Sequence, residues 1–146
     1  MTDQGMARVR TLDELARRVR ERDGLFVRWS KGPRFDLHGP SGSLDELTGV
    51  PMPGLSVSPL HIECWWPGSV RLWVARRLWD YSHLRYEKAP GVAPWLLHAR
   101  EIARGPDNEP LVDRVEPLAW IAEEVIAEAR RELSRQPRSW GPLRRP

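Results

Sequence analysis

The spacing of apolar residues predicts three helices. Between Thr11 and Gly24 a Thr-x-x-Glu capping pattern is followed by apolar residues at helical intervals, and the glycine offers the conformation that ends a helix. Ser69 caps a second predicted helix that runs to about Tyr86 with one wide apolar face. A third helix is predicted to begin at Glu116-Pro117, with proline in its first turn, and to end before Pro137.

Alternating apolar and polar positions predict the strands. Leu25 to Ser30 alternates with period two, which predicts a first strand. Ala93 to Ala103 is a second predicted strand, in which Trp95, Leu97 and Ala99 share one face. Leu111-Val112 is predicted to form a short third strand. From Lys31 to Pro67 the chain is rich in glycine and proline, so only a short helical turn at 43–47 and an extended stretch at 55–57 are expected there. The predicted fold class is α+β: a small antiparallel sheet of two to four short strands packed against three helices, with a long irregular loop.

A length of 146 residues suits one domain with one core. We expect a disordered N-terminus at 1–10, a single globular α+β domain at 11–133, and an Arg/Pro-rich C-terminal tail at 134–146. No apolar run approaches the roughly 20 residues needed to span a bilayer, and no export signal opens the sequence. The single cysteine excludes an intrachain disulfide framework, so we expect a reducing, cytoplasmic location and no membrane partner.

The net charge of +3 and the isoelectric point near 9.6 come from the end of the chain. Residues 131–146 carry five arginines and one glutamate, whereas the rest carries 18 basic and 19 acidic side chains. Binding to nucleic acid needs clustered cations that displace counterions from phosphates. The distribution therefore argues against nucleic-acid binding except through the basic tail.

His61-Ile62-Glu63 matches the H-x-E of zinc deaminases, and Cys64 follows it. That metal site also needs a downstream pair of cysteines, which a chain with one cysteine cannot supply. The neighbours of Cys64 are aromatic and acidic, which favours an unreactive thiol. A looser site from His61, Cys64, His83 and His98 requires that folding bring them together. The sequence otherwise predicts no metal site and leaves the cofactor unspecified.

Eight tryptophans are several times the number expected for this length. Trp73, Trp95 and Trp120 lie on regular apolar faces, where a large ring fills the core. Trp65 and Trp66 differ, because two adjacent residues in a loop before a proline do not both point inward. We expect one of them to lie exposed at a cleft, where an indole can stack on a bound group.

The leading hypothesis is a ligand- or partner-binding domain with a Trp/Arg-lined cleft. The cleft would be formed by the loop at 31–67, the strand that carries Arg28, and the turn at 104–109; a homodimer through the tryptophan-rich helix is left open. Its bound group would be a small molecule or a protein segment. The candidate binding residues are Arg28, Ser30, Trp65, Trp66, Arg104 and Asn108.

An enzyme is the alternative. The order of Arg28, Ser56 and Glu109 resembles one clade of ADP-ribosyl transferases. The resemblance implies an enzyme that uses NAD or a related nucleotide. In it the arginine would bind a pyrophosphate, and Ser56 and Glu109 would be catalytic residues that hold the ribose and bond its hydroxyl. The turn that carries Glu109 also has an explanation without any ligand, because Asp107 and Asn108 favour a tight turn by themselves.

Four segments resemble a family of small uncharacterised single-domain proteins from high-GC bacteria. They lie at 25–33, 53–57, 73–78 and 104–112, and the resemblance covers about 11–133. The use of 21 arginines against two lysines fits such a genome. The resemblance implies one compact domain and no known activity.

Overall fold

The computed structural model describes residues 5–38, 54–82, 91–106 and 108–136. Six strands and four helices lie within these ranges. The strands are β1 (Ala7–Val9), β2 (Leu25–Ser30), β3 (Leu55–Ser56), β4 (Ser58–Pro59), β5 (Ala93–Arg104) and β6 (Pro110–Ile121). The helices are α1 (Leu12–Glu21), α2 (Pro33–His38), α3 (Val70–Asp80) and α4 (Glu123–Ser134).

The strands form one mixed sheet in the order β1-β6-β5-β2-β4, and β3 also pairs with β6. β1 runs parallel to β6, and the other pairs are antiparallel. Only Val57 separates β3 from β4, yet β3 pairs with β6 and β4 pairs with β2. This short segment therefore bridges two strands that β5 separates, and the sheet curls back on itself.

The curl gives the sheet an inner face and a helical face. Along β2, Val27 and Trp29 belong to the core shared with the helices, whereas Phe26 belongs to a second core inside the curl. Because side chains alternate along a strand, Arg28 and Ser30 point to the inner face with Phe26. The other buried residues of the inner core are Met6, Leu55, Val57, Trp95, Leu97, Ala99 and Val112.

Three helices cover the helical face, and one arginine joins them. Arg71 of α3 forms ion pairs with Asp13 of α1 and with Glu128 and Glu132 of α4. Partial burial lowers the pKa of Arg71, but the hydrogen bond and charge of Asp13 and the charge of Glu132 raise it overall. The guanidinium is therefore held charged where the three helices meet.

Local signals placed the first elements correctly. The Thr11 hydroxyl accepts the amide of Glu14 at 3.1 Å, and the Ser69 hydroxyl accepts the amide of Leu72 at 3.1 Å, so both predicted caps are confirmed. Gly24 has a φ of 76° and lies so close to His98 that an added Cβ would be 3.0 Å from its Nε2. The turn from α1 into β2 thus favours glycine for its backbone angle, and a larger residue would also press on the His98 ring.

The prediction of two to four strands in an antiparallel sheet was wrong, because six strands form and β1 is parallel to β6. Residues 7–9 form a strand although no regular element was expected before residue 11. Part of the stretch expected to be irregular contains α2, β3 and β4, and the turn expected at 43–47 lies outside the described residues. β3 lies at Leu55–Ser56, within the extended stretch expected at 55–57, whereas β1 and β4 are too short to show a period and were not expected.

The start of the last helix was also predicted wrongly. Residues 116–121 continue β6, and α4 begins at Glu123. Apolar residues at helical spacing run across this boundary, from Leu118 to Val125, which made the strand look helical. Pro117 is tolerated because it pairs with Leu97 next to a register shift, where a missing amide proton does little harm.

Candidate functional site

A buried polar cluster lies on the inner face at the end of β2. The chain leaves β2 through Gly32, whose φ is 125°, and turns at once into the short helix α2. The amide of Gly32 donates to the Ser30 hydroxyl at 3.1 Å, and the amide of Asp36 donates to the Gly32 carbonyl at 3.0 Å. This tight turn places the Asp36 side chain over the inner face beside Arg28.

The Asp36 carboxylate is the centre of this cluster. Its Oδ2 accepts Nε of Arg28 at 3.2 Å and also the hydroxyl of Ser30. The indole Nε1 of Trp95 donates to the same Ser30 hydroxyl at 2.9 Å. The Asp36 side chain is 2% exposed and that of Arg28 is 13% exposed, so a charged pair is buried among aromatic and aliphatic side chains. We call Arg28, Ser30, Asp36 and the Trp95 indole the inner polar cluster.

The guanidinium of Arg28 also ties the cluster to the strands that close the curl. Its Nη1 donates to the carbonyl of Ser56 at 2.8 Å. The next residue, Val57, donates its amide to the carbonyl of Pro110 at 3.1 Å, and Ser56 pairs with Leu111 in the sheet. Arg28 therefore lies where β2, β3 and β6 converge, and the cluster holds a guanidinium group beside a carboxylate.

The three residues of the enzyme hypothesis are brought near one another only in part. Arg28 bonds the main chain of Ser56, but Leu55 and Val57 point into the inner core, so alternation turns the Ser56 side chain the other way. Glu109 directly precedes Pro110, and its carboxylate lies against Gly105, where a Cβ would collide with it. Arg28 thus contacts the main chain of Ser56, and the Glu109 carboxylate lies at the turn beside Gly105.

Arg104 and Asn108 lie at the tip of the β5–β6 hairpin. Nη1 of Arg104 donates to the carbonyl of Asn108 at 3.0 Å, and its Nε lies 2.6 Å from a carboxylate oxygen of Glu101. Asn108 has a φ of 61°, which asparagine tolerates better than most residues. The contacts of both residues thus stabilise the turn itself.

Trp65 and Trp66 lie at the helical face, away from the inner polar cluster. Together with Trp73 they form an aromatic cluster with T-shaped contacts and ring centroids 5.3 to 6.2 Å apart. Trp66 is buried and donates its indole N–H to the Ser69 carbonyl at 3.0 Å, whereas Trp65 is 37% exposed. One ring of the pair is therefore exposed and the other is packed.

An arginine extends this aromatic cluster. Arg77 lies over the rings of Trp73 and Tyr81, with its guanidinium carbon 5.8 and 5.5 Å from the two ring centroids. Its Nε donates to the carbonyl of Pro59 at 3.0 Å, which fixes α3 against β4. The rings and the cation are thus held in place by contacts within the chain.

The remaining sequence signals add no site to the inner polar cluster and the aromatic cluster. His61 and Cys64 are exposed, and among the described residues no three His, Cys, Asp or Glu side chains lie close enough together to hold a metal ion. In the same part of the chain, no helix is both long and apolar enough to cross a bilayer. The tail from residue 137 onwards lies outside the described ranges.

Asp36 is the residue that the sequence analysis missed. It lies in the glycine- and proline-rich stretch, where only a loop was expected. The available signal was Gly32-Pro33 directly after a strand, because proline suits the first turn of a helix. A short helix begun there would have pointed to an acidic residue near Arg28.

No curated protein and no solved structure is significantly similar to this chain. The fold and the inner polar cluster therefore have to be interpreted from their own geometry. Over residues 2–141 the sequence matches the model of a family of unknown function (DUF6098), and the chain belongs to that family.

Proposed function

We propose that this protein binds a small hydroxylated anion, of the class of a sugar phosphate or the ribose phosphate of a nucleotide, at the inner polar cluster. The observation that carries the proposal is the buried pair of Arg28 and Asp36 on a face that is otherwise apolar. Guanidinium groups bind phosphate and carboxylate oxygens with two parallel hydrogen bonds. A carboxylate beside them accepts hydrogen bonds from hydroxyl groups, so the pair suits a ligand that carries both.

Stability alone is a poor reason for such a pair. Removing two charges from water is costly, and apolar residues of similar size often stabilise a protein as well or better. Small-molecule sites, in contrast, are typically apolar with a few convergent polar groups. The inner face has this composition, with Phe26, Trp95 and Leu97 around the cluster.

The predicted cleft that combines Trp65 with Arg28 is not part of this proposal, because the two residues lie on opposite faces of the sheet. The ligand would instead meet Arg28, Ser30 and Asp36. We propose that the protein acts in the cytoplasm, which its single cysteine supports, and the predominance of arginine over lysine supports a high-GC bacterial source.

Isothermal titration with ribose 5-phosphate, ribose and inorganic phosphate tests the proposal. We expect ribose 5-phosphate to bind more tightly than either of the others, and Arg28→Lys to weaken it about tenfold or more because lysine cannot make the paired hydrogen bonds. Arg100→Lys is the matched control, since Arg100 forms an exposed ion pair with Asp113 on β6. Circular dichroism would verify that each variant is folded.

Two results would overturn this function. One is a wild-type protein that binds none of the three compounds. The other is an Arg28→Lys protein that is folded and binds ribose 5-phosphate as tightly as the wild type does.

A nucleotide-using enzyme is the second candidate, favoured by the bond from Arg28 to the Ser56 carbonyl and by the pairing of Ser56 beside Pro110. In that case the ribose phosphate is part of NAD, and Glu109 bonds a ribose hydroxyl as the glycosidic bond breaks. Glu109→Gln should then abolish turnover of NAD and leave its binding intact. A wild-type protein that neither binds nor consumes NAD would end this candidate.

A further inference from the structure

A cleft of about 260 Å³ lies on the helical face, where the last turns of α1 cross the start of β2 and the end of β6. It is separate from the inner polar cluster, since Leu25 and Arg28 point to opposite faces of β2. Two leucines and four charged residues line it: Arg17, Arg18, Glu21, Arg22, Leu25 and Leu118.

Three guanidinium groups and one carboxylate line the cleft, and the carboxylates of Glu14 and Glu116 lie beside it against Arg18 and Arg22. Arg17 lies 3.8 Å from Glu21, and Arg22 lies 2.8 Å from Glu116 on β6. All four of these side chains are about half exposed, and ion pairs of that kind hold their partners weakly. An anion that enters the cleft can therefore compete for these cations.

Arg18 adds an unsatisfied donor. Its Nε is buried and has no hydrogen-bond acceptor, and a carboxylate oxygen of Glu14 lies 3.6 Å away, beyond hydrogen-bond distance. A buried N–H without an acceptor destabilises the folded protein. The Arg18 side chain is 34% exposed, and a ligand oxygen removes that penalty once the side chain turns its Nε toward the cleft. The guanidinium of Arg18 is the natural contact for an acid group.

The volume limits the size of the ligand. An apolar cavity of about 150 Å³ accommodates benzene, so about 260 Å³ accommodates a six-membered ring with an acid group attached. Leu25 and Leu118 offer an apolar surface for the ring, while the arginines lie around it. We propose that this cleft binds a small carboxylic acid with a ring-sized apolar body, its carboxylate on Arg18 and its ring on the two leucines.

Titration of isotope-labelled protein with benzoate, followed by amide chemical shifts, tests the proposal. Benzamide is the neutral analogue and benzylamine the cationic one. We expect benzoate to shift the amides of residues 17–25 and 118 in a saturable way, benzamide to bind at least tenfold more weakly, and benzylamine to produce no shift there.

Arg18→Met keeps the apolar part of the side chain and removes the donors, so benzoate should bind about tenfold more weakly. Arg20→Met is the matched control on the same helix, because Arg20 is exposed and does not line the cleft. Leu118→Phe is a second variant that fills the cleft and should block the ring without touching the arginines.

Benzoate that shifts no amide up to its solubility limit, or shifts residues elsewhere, overturns the proposal. Equal affinity for benzamide and benzoate, or an equal loss in Arg20→Met and Arg18→Met, overturns it as well. Arg28→Lys should leave benzoate binding unchanged, so a failure at the inner polar cluster and a failure at this cleft are distinguishable.

Discussion

The two faces of the curled sheet bury the same strand in different ways. On the helical face, Val27 and Trp29 of β2 belong to the apolar core that the sheet shares with the helices. On the inner face, Arg28 and Ser30 of the same strand bury charge and hydroxyl groups around Asp36. β2 is held on its helical side by apolar residues alone, so the charges that the same strand buries on its inner face call for a different explanation, and binding provides one.

The largest effect is expected on the helical face. Trp29 is 2% exposed, so Trp29→Ala leaves a large cavity and should lower the free energy of unfolding by about 4 kcal/mol. Urea denaturation measures this value. A loss below about 1 kcal/mol would mean that the helical face is not closely packed.

Asp36→Ala should have the next largest effect. It leaves Arg28 buried without its carboxylate and should destabilise the protein by about 3 kcal/mol. Asp113→Ala is the control, because Asp113 pairs with Arg100 on an exposed part of the hairpin, and its urea midpoint should stay close to that of the wild type. Equal losses in the two variants would contradict the buried character of the inner pair.

The double variant Arg28→Met/Asp36→Leu sharpens the comparison. It replaces the ion pair by apolar side chains, so the free energy of unfolding should return to within about 1 kcal/mol of the wild type. Denaturation of the single and double variants under the same conditions measures the recovery. A double variant as unstable as Asp36→Ala would show that the fold itself needs the charges.

Trp65→Ala tests whether the aromatic cluster behaves as a core or as a surface. Trp65 is 37% exposed, and its loss should cost less than about 1 kcal/mol, well below the loss for Trp29→Ala. Thermal or urea denaturation would detect a larger loss, which would assign the ring to the core of the helical face.

The exposed pair of Arg100 and Asp113 should give the smallest effect, and it depends on pH. The hydrogen bond and charge of Arg100 lower the pKa of the Asp113 carboxyl from its ordinary value of 3.8. A carboxyl with a lowered pKa in the folded state stabilises the protein above pH 3.8 and loses this contribution as the pH falls through the lowered value. Asp113→Asn should therefore flatten the acid limb of the stability curve slightly, and an unchanged curve would mean that the pair contributes nothing.

Elements that depend on local sequence signals could be predicted, whereas elements that depend on distant strands could not. The cap at Thr11, the glycine at Gly24 and the alternation of β2 are local signals, and the structure has those elements where the patterns placed them. β3 and β4 are two residues long and pair with β6 and β2, so the sequence indicated at most the extended stretch at 55–57 and neither the pairing of β3 nor the existence of β4.

The candidate site was predicted in part for the same reason. Arg28 and Ser30 were chosen from the strand that carries them, and both lie in the inner polar cluster. Asp36 was not chosen, because its role depends on the turn at Gly32 that brings α2 over the sheet. Trp65 was grouped with Arg28 because both are suited to binding, but residue type does not show on which face of a sheet a loop packs.

The central claim is that the charges of the inner polar cluster serve a ligand. Titration of ribose 5-phosphate into the wild type and into Arg28→Met/Asp36→Leu, both verified as folded, tests it most directly. We expect saturable binding to the wild type and none to the double variant. Equal binding to both proteins, or no binding to the wild type, would contradict it.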